Sequence, residues 1–530
     1  IHDFEVGSTD IASKLTISQK LYGREKEVEI LKESFDLAAA DNKVLVTIGG
    51  YSGTGKSRLS YELHRYVSPK NGFFLSGNFD ILDKQTPYLA WIKAFRQFSD
   101  WLIVQPEKLQ KQWGDKFQKE LKGLGNIIID LVPKLEYILP QQPELVDLSG
   151  FENQQRVQYT FNAFIKCLSS TESPLVFLLD DFQWADEASY DLLKSIFNNY
   201  SLSNLLILIN YRDNETPEFH PFTRTINNIR SSHSENNLRI KEIILSPLKQ
   251  EHVSELLCDT LRMKSIEVSS LSELVFSKTK GNAFALTKLL ESLYRQNLLQ
   301  FDYQEKLWKW DLAKIAKHNI SDNIIDLLLL TIKELDEEGL KMAKIASVLG
   351  LEFSLEQVSL IGGKSVAAIH RDFWPLIKDL SILPAGNDYH YLPEYYEESH
   401  KDIRFKFAHP RIQQAIYDLL NENEKGEYHY NLGIIYLRKK SESGEEFRVI
   451  DVARHFSIGF HYVTTSKDKF QIGKILLEAG QIAAQAASFE VAMGFTENAL
   501  LCLKDDISKK DKFFILVKLL EYSFLVKNEP

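Results

Sequence analysis

A chain of 530 residues exceeds what one hydrophobic core fills, and its 44% hydrophobic and 26% charged content is the average of folded soluble proteins, so disorder is not the default reading. Lys and Arg number 63 against 73 Asp and Glu, a formal charge of -10, so no cationic surplus exists for binding a phosphate backbone and nucleic acid is not the expected partner. Three cysteines without C-x-x-C spacing fit neither a zinc knuckle nor a disulfide framework and point to a reducing cytoplasm, and the longest apolar runs are too short to span a bilayer.

Ile1 to Lys20 carries few periodic apolar positions and reads as a linker, 1–20, before a domain that opens at Leu21. The chain starts on Ile and ends in an apparent helix, which reads as an excerpt of a longer protein. From 21 to 248, short apolar runs alternate with helical patterns. Val44–Ile48, Phe73–Leu75, Leu175–Leu179, Leu205–Ile209 and Ile243–Leu245 are the predicted strands of a parallel sheet with helices on both faces. A helical insertion is expected at about 87–168, where Trp91, Ala94, Phe95 and Phe98 share a face. Residues 249–300 read as a helical lid. A short hairpin is expected around Gln304 and Glu305, opening a compact unit over 301–420, in which the pattern from about 320 onward predicts helices alone. Leu340–Leu349 reads as a helix stopped by Gly350, and Ser354 as the cap of the next. Residues 421–530 read as stacked α-helices, with Ala479 to Ala487 suited to close packing, although no 34-residue period emerges.

Gly50-Tyr51-Ser52-Gly53-Thr54-Gly55-Lys56-Ser57 satisfies G-x-x-x-x-G-K-[ST] and follows a predicted strand. Glycines 50, 53 and 55 permit a loop whose backbone N–H groups turn inward, and the next helix points its positive end at the same place. Such a loop holds the phosphates of ATP. Lys56 is the candidate for the β and γ oxygens and the Ser57 hydroxyl for Mg²⁺, with Ser52, Thr54 and Arg58 as further nucleotide contacts. Leu175–Leu179 then leads into Asp180-Asp181 on what is expected to be a neighbouring strand. Asp180 is the candidate metal acid and Asp181 the candidate to deprotonate the attacking water. Arg212, at the tip of the next predicted strand, is the candidate phosphate sensor, against the blander reading of an arginine paired with Asp213 or Glu215. Trp308 and Trp310 read as hairpin packing rather than a base-stacking platform, and the 13 histidines form no H-x-x-x-H pair for a transition metal.

The run from Leu21-Tyr22-Gly23-Arg24-Glu25 through the loop, Leu178-Leu179-Asp180-Asp181-Phe182-Gln183-Trp184-Ala185-Asp186 and Tyr211-Arg212-Asp213-Asn214-Glu215 resembles the AAA-like ATPase module of the STAND class. More narrowly, it resembles the segment that large bacterial signalling proteins place between a serine/threonine kinase domain and histidine-kinase domains. Lys278-Thr279-Lys280-Gly281-Asn282, Trp308-x-Trp310-Asp311 and Phe407-Ala408-His409 extend the likeness over nearly the whole chain. The resemblance implies that Gly23 and Arg24 lie near the adenine, that 249–300 is the lid and that 301–420 is winged-helix-like, while the helical pattern itself reads 421–530 as TPR-like repeats. Two positions depart from the family pattern: Ala283 stands where Pro follows Gly-Asn, and Pro410 where Asp follows His.

The expectation is an ATP-binding, slowly hydrolysing switch of a larger kinase-containing protein, using ATP or ADP with Mg²⁺ in the cytoplasm. Protein partners on the C-terminal helices and nucleotide-dependent self-association accompany it. A non-hydrolysing scaffold holding nucleotide is the alternative, and a DNA-binding regulator the third reading.

Overall fold

The computed structural model describes residues 15–80, 86–146, 148, 150–232, 239–317, 332, 335–378, 381–385, 403–443, 449–463, 465–503 and 507–527. Residues 1–14 of the expected linker lie outside these. The chain divides into two compact units. One is built from 27–51, 56–244 and 425–530, the other from the N-terminal segment to Lys26, 52–55 and 245–424.

In the first unit, β1 (Lys43–Gly49), β2 (Phe73–Asn78), β3 (Leu175–Asp180), β4 (Leu205–Asn210) and β5 (Arg239–Ile244) form one parallel sheet in the order β2-β3-β4-β1-β5. The three inner strands are rich in Val, Ile and Leu and are buried along nearly their whole length, the pattern of strands covered on both faces. Alternate side chains serve opposite layers. Leu45, Phe177, Ile207 and Ile209 join the aromatic core made with the helices Leu89–Ile103, Glu107–Leu121 and Gly150–Leu168, which lie between β2 and β3 in the chain. Val44, Val46, Val176 and Leu208 are buried on the other face. The edge strand β5 begins four residues earlier than its apolar run, because its outer positions meet solvent and carry Arg239, Lys241 and Glu242.

One expectation needs correcting. β3 is not the neighbour of β1, since β4 runs between them, its Leu206 paired with Val44 on one side and Val176 on the other. Apolar periodicity identifies strands but carries no information on lateral order.

The same unit contains the C-terminal helices Val449–Gly459, Ser466–Gln485, Phe489–Leu503 and Lys509–Lys527. Ala479, Ala483, Ala492 and Ala499 are fully buried where Ser466–Gln485 and Phe489–Leu503 meet. A Cβ on Gly480 would come within 2.6 Å of Thr496 Oγ1, so the close approach depends on glycine. The Asn153 amide, from the insertion, donates to the carbonyls of Ala484 (3.2 Å) and Gln485 (2.6 Å), satisfying the carboxyl end of Ser466–Gln485.

The second unit packs Gln250–Leu261, Ser265–Thr279 and Ala283–Arg295 around Leu257, Leu271, Leu289 and Trp308. β6 (Leu299–Asp302) and β7 (Leu307–Trp310) form the expected antiparallel hairpin, with Trp308 edge-on to Phe301 and Tyr294. Glu337–Leu349 is capped by Asp336, and Ser354 caps Leu355–Gly362 as read from sequence. The region is not helical alone. β8 (Glu352–Ser354), β9 (Ile382–Pro384) and β10 (Arg404–Phe407) make a small antiparallel sheet in the order β8-β10-β9 among the helices, as the winged-helix resemblance implies. Strands of three or four residues carry too little alternation to be recognised in sequence.

Candidate functional site

The loop Gly50–Ser57 leaves the end of β1 and enters the helix Lys56–Glu62. Gly50, Gly53 and Gly55 hold φ of 146°, 80° and 97°, a backbone that L side chains rarely adopt. A Cβ on Gly55 would meet nothing within 4 Å, so open space faces the backbone just before the helix, the place where a phosphate fits a P-loop. Lys56 is buried, and its amine donates to Gly50 O (2.7 Å) and Tyr51 O (3.0 Å). Burial lowers its pKa, opposed by the carboxylates of Asp181 and Asp180. Arg58 lies exposed on the outer side of the helix.

β3 delivers Asp180 to the Ser57 hydroxyl, which donates to its Oδ2 at 2.7 Å although β4 separates the parent strands. The Oδ1 of Asp180 accepts from the Asn210 amide (3.1 Å) and from the Asp181 backbone N–H (3.1 Å). Its pKa is raised by burial and then by Asp181, so a divalent cation at this carboxylate would relieve the strain of holding its charge. A hydroxyl and a carboxylate side by side are the donor set that suits Mg²⁺. Asn210, which sequence reading missed, is buried at the end of β4 and accepts from Ser60 Oγ (2.9 Å). Its signal was present: an amide closing a strand of five apolar residues.

Asp181 sits in the left-handed region with φ of 52°, turning its carboxylate back along the crest of the sheet. Its Oδ1 accepts from Arg212 Nε (3.1 Å) and Gln183 Nε2 (2.9 Å). Arg212 stands just past the end of β4, the strand that pairs with β1, and is only 3% exposed. Its Nη1 donates to Glu215 (2.9 Å), its backbone N–H to Gln183 Oε1 (3.2 Å), and its guanidinium carbon lies 4.2 Å from the centre of the Trp184 ring. The anticipated pairing with Glu215 is therefore present, and the pairing with Asp181 was not foreseen. Asp186 closes the motif by capping Glu187–Asn198 and accepting from the Tyr88 N–H (3.2 Å). Burial pushes its carboxyl up to about 6.

The remaining predicted residues belong to the second unit. Arg24 is buried and donates to Ser246 O (2.6 Å) and Thr54 O (3.4 Å). Asn282 donates to Ser52 O (2.9 Å) while capping Ala283–Arg295, and the Phe284 N–H donates to Gly53 O (3.1 Å). A side chain on Gly53 would come within 2.6 Å of Asn282 Oδ1. The Gly281-Asn282 motif thus grips the carbonyls of the loop tip. Gly23 leaves room for the ring of His252, which a Cβ would overlap. His409 caps Pro410–Asp418 through Nδ1 and packs its ring on Phe284 at 4.6 Å.

With a glycine-built phosphate loop, a hydroxyl–carboxylate pair and a second acid in place, comparison with known proteins is informative. Residues 20–208 match the AAA ATPase domain family. Across 94% of its length the chain is 24% identical to hybrid signal transduction histidine kinase G of Dictyostelium discoideum, of which it spans 17%. It is 20% identical to the peroxide stress-activated histidine kinase mak3 of Schizosaccharomyces pombe, over 91% of this chain and 21% of that protein. The chain therefore corresponds to about a fifth of the length of these relatives. Among solved structures, it is similar to a STAND protein with a tetratricopeptide repeat sensor from Pyrococcus horikoshii, with a TM-score of 0.47, 14% identity, and coverage of 97% of this chain and 65% of that one. Residues 20–208 thus match an AAA ATPase domain, and the chain as a whole is similar to a segment of histidine-kinase signalling proteins. No helix among the described residues is long and apolar enough to cross a membrane.

Proposed function

We propose that the module binds ATP with Mg²⁺ and hydrolyses it slowly, its nucleotide state acting as a conformational signal to other parts of a kinase-containing protein. The observation that carries this reading is the Ser57–Asp180 contact at 2.7 Å beside a second acid, Asp181, at the end of the same strand. Bound Mg²⁺ supplies charge neutralisation and orientation of the phosphates. Ser57 and Asp180 would hold the cation, the glycine loop with Ser52 and Thr54 would present its N–H groups, and Lys56 would exchange its carbonyl partners for phosphate oxygens. Asp181 accepts the proton of the attacking water, and Arg212 reads the γ-phosphate. Gly23 and Arg24 shape the adenine side, and Arg58 stays at the rim. The cytoplasm, TPR-like docking of protein partners on the C-terminal helices and nucleotide-dependent self-association complete the reading.

Lys56→Ala should weaken binding of ATP by about a hundredfold, measured by titration calorimetry, since a buried charged contact to phosphate is lost. Unchanged affinity would sink the proposal. A non-hydrolysing scaffold is the second reading, favoured by the Arg212–Asp181 pair, which occupies the candidate base. Asp181→Asn decides between them. Loss of turnover with retained nucleotide supports the ATPase, whereas a background rate identical in both proteins supports the scaffold.

A further inference from the structure

Gln183 and Trp184 stand inside the Asp180–Asp186 motif, yet neither is required to hold a phosphate or a metal. Together with Glu215 they account for the setting of Arg212. Its guanidinium has Trp184 across its face at 4.2 Å, the Asp181 carboxylate at its Nε and the Glu215 carboxylate at its Nη1. Gln183 bridges the two sides, donating to Asp181 and accepting from the backbone of Arg212. Side-chain exposure is 4% for Arg212, 17% for Asp181 and 29% for Glu215, so the pair is largely screened from water while Glu215 forms its outer wall. A planar cation between an aromatic face and two carboxylates sits in a built receptacle, not in a chance surface pair.

We infer that Trp184 and Glu215 form a parking site for Arg212, and that this site sets the module's preference for ATP over ADP. The inference rests on the ATP-binding reading. While parked, Arg212 neutralises Asp181 and occupies the oxygen that would accept a proton from water. With ATP bound, Arg212 exchanges Glu215 and Asp181 for oxygens of the γ-phosphate, which frees Asp181. ADP lacks that phosphate and leaves Arg212 with its parking partners. The exchange is a two-state equilibrium, so a residue that strengthens parking lowers affinity for ATP without touching the nucleotide. Trp184 and Glu215 are positioning residues, and Gln183 keeps Asp181 and the tip of β4 in register.

The test uses the full chain and compares equilibrium binding of ADP with that of a non-hydrolysable ATP analogue. Glu215→Gln should raise the ratio of the ADP Kd to the analogue Kd by about fivefold, the scale of one partly exposed ion pair. Trp184→Leu should raise it in the same direction. Tryptophan emission provides a second readout. In the wild-type protein it should change with the analogue and little with ADP, because the cation leaves the indole face; in Trp184→Phe that change should vanish. An unaltered Kd ratio in Glu215→Gln, with melting temperature preserved, overturns the inference even if Trp184→Leu fails to fold. Lys56→Ala separates the two layers. If wild type binds neither nucleotide, or binds them independently of Lys56, the ATP-binding reading falls; if binding needs Lys56 but Glu215→Gln shifts nothing, only the parking site falls.

Discussion

The crest of the parallel sheet and the alanine-rich hairpin of Ser466–Gln485 and Phe489–Leu503 belong to the same compact unit but solve opposite problems. At the crest, Lys56, Asp180, Asp181, Asn210 and Arg212 put charge and amide groups above strands of Val, Ile and Leu, and each of these polar groups is matched by another. In the hairpin, small side chains let two helices touch, and stability comes from contact rather than from polar pairing. The difference separates two kinds of sensitivity. A change at the crest alters which atoms are held where while the core beneath stays intact, whereas a change in the hairpin opens a void or forces the helices apart.

The sharpest way to break this contrast is Leu476→Ala, in the fully buried seam of the hairpin. It should destabilise the protein by about 3 kcal/mol in denaturant unfolding, through lost burial and a residual cavity. Asp181→Asn should lower steady-state turnover about a hundredfold, equivalent to about 2.7 kcal/mol of barrier, with less than about 1 kcal/mol of change in stability. If the two variants exchanged these effects, the contrast would be wrong. A third prediction concerns pH. His429 and His455 are buried with their Nδ1 atoms 2.8 Å apart. Burial, with Lys425 adding to it, pushes His429 down to about 4, and burial with Arg454 and His429 pushes His455 well below its ordinary value. Both are neutral in the fold and protonate more readily when unfolded. Their stabilising effect is complete above about pH 6.5 and is lost as pH falls towards 4, at about 1.4 kcal/mol per pH unit for each histidine. Thermal melts between pH 7 and 5 should show this slope, reduced in His429→Leu. The smallest effect belongs to Ser60→Ala, which leaves Asn210 Oδ1 without its 2.9 Å donor. It should cost about 1 kcal/mol of stability and leave nucleotide affinity within about twofold if Asn210 keeps its grip on Asp180.

Legibility in the sequence followed range. The phosphate loop, the strands and Asp180-Asp181 are local patterns in which a few consecutive residues state both element and chemistry. The helices between Gln250 and Arg295 and the hairpin around Gln304 were legible for the same reason. What was not legible is what joins distant residues. Nothing in the apolar run of β4 announces that it separates β1 from β3, or that its closing Asn210 steadies Asp180. The grip of Asn282 on Ser52 O, Arg24 on Ser246 O and Asn153 on Gln485 O, and the pairing of His429 with His455, all link side chains and partners far apart in the chain. Arg212 is the intermediate case: its place at the strand tip was readable, but its capture by Asp181 and Trp184 depends on a left-handed turn at Asp181 that no motif spells out.

The strand order has a consequence in time. β1 precedes the other described strands of its sheet in the chain, yet both of its neighbours come late: Lys43 awaits Leu205, and Val44 awaits Arg239. At a synthesis rate of about 5–20 residues per second, the segment bearing the phosphate loop would wait for about 8 to 40 s before its sheet can close. Throughout that interval Lys43–Gly49, a strand that ends buried, lacks both of its sheet neighbours. High contact order at β1 therefore makes the closing of this sheet a slow, late step of folding.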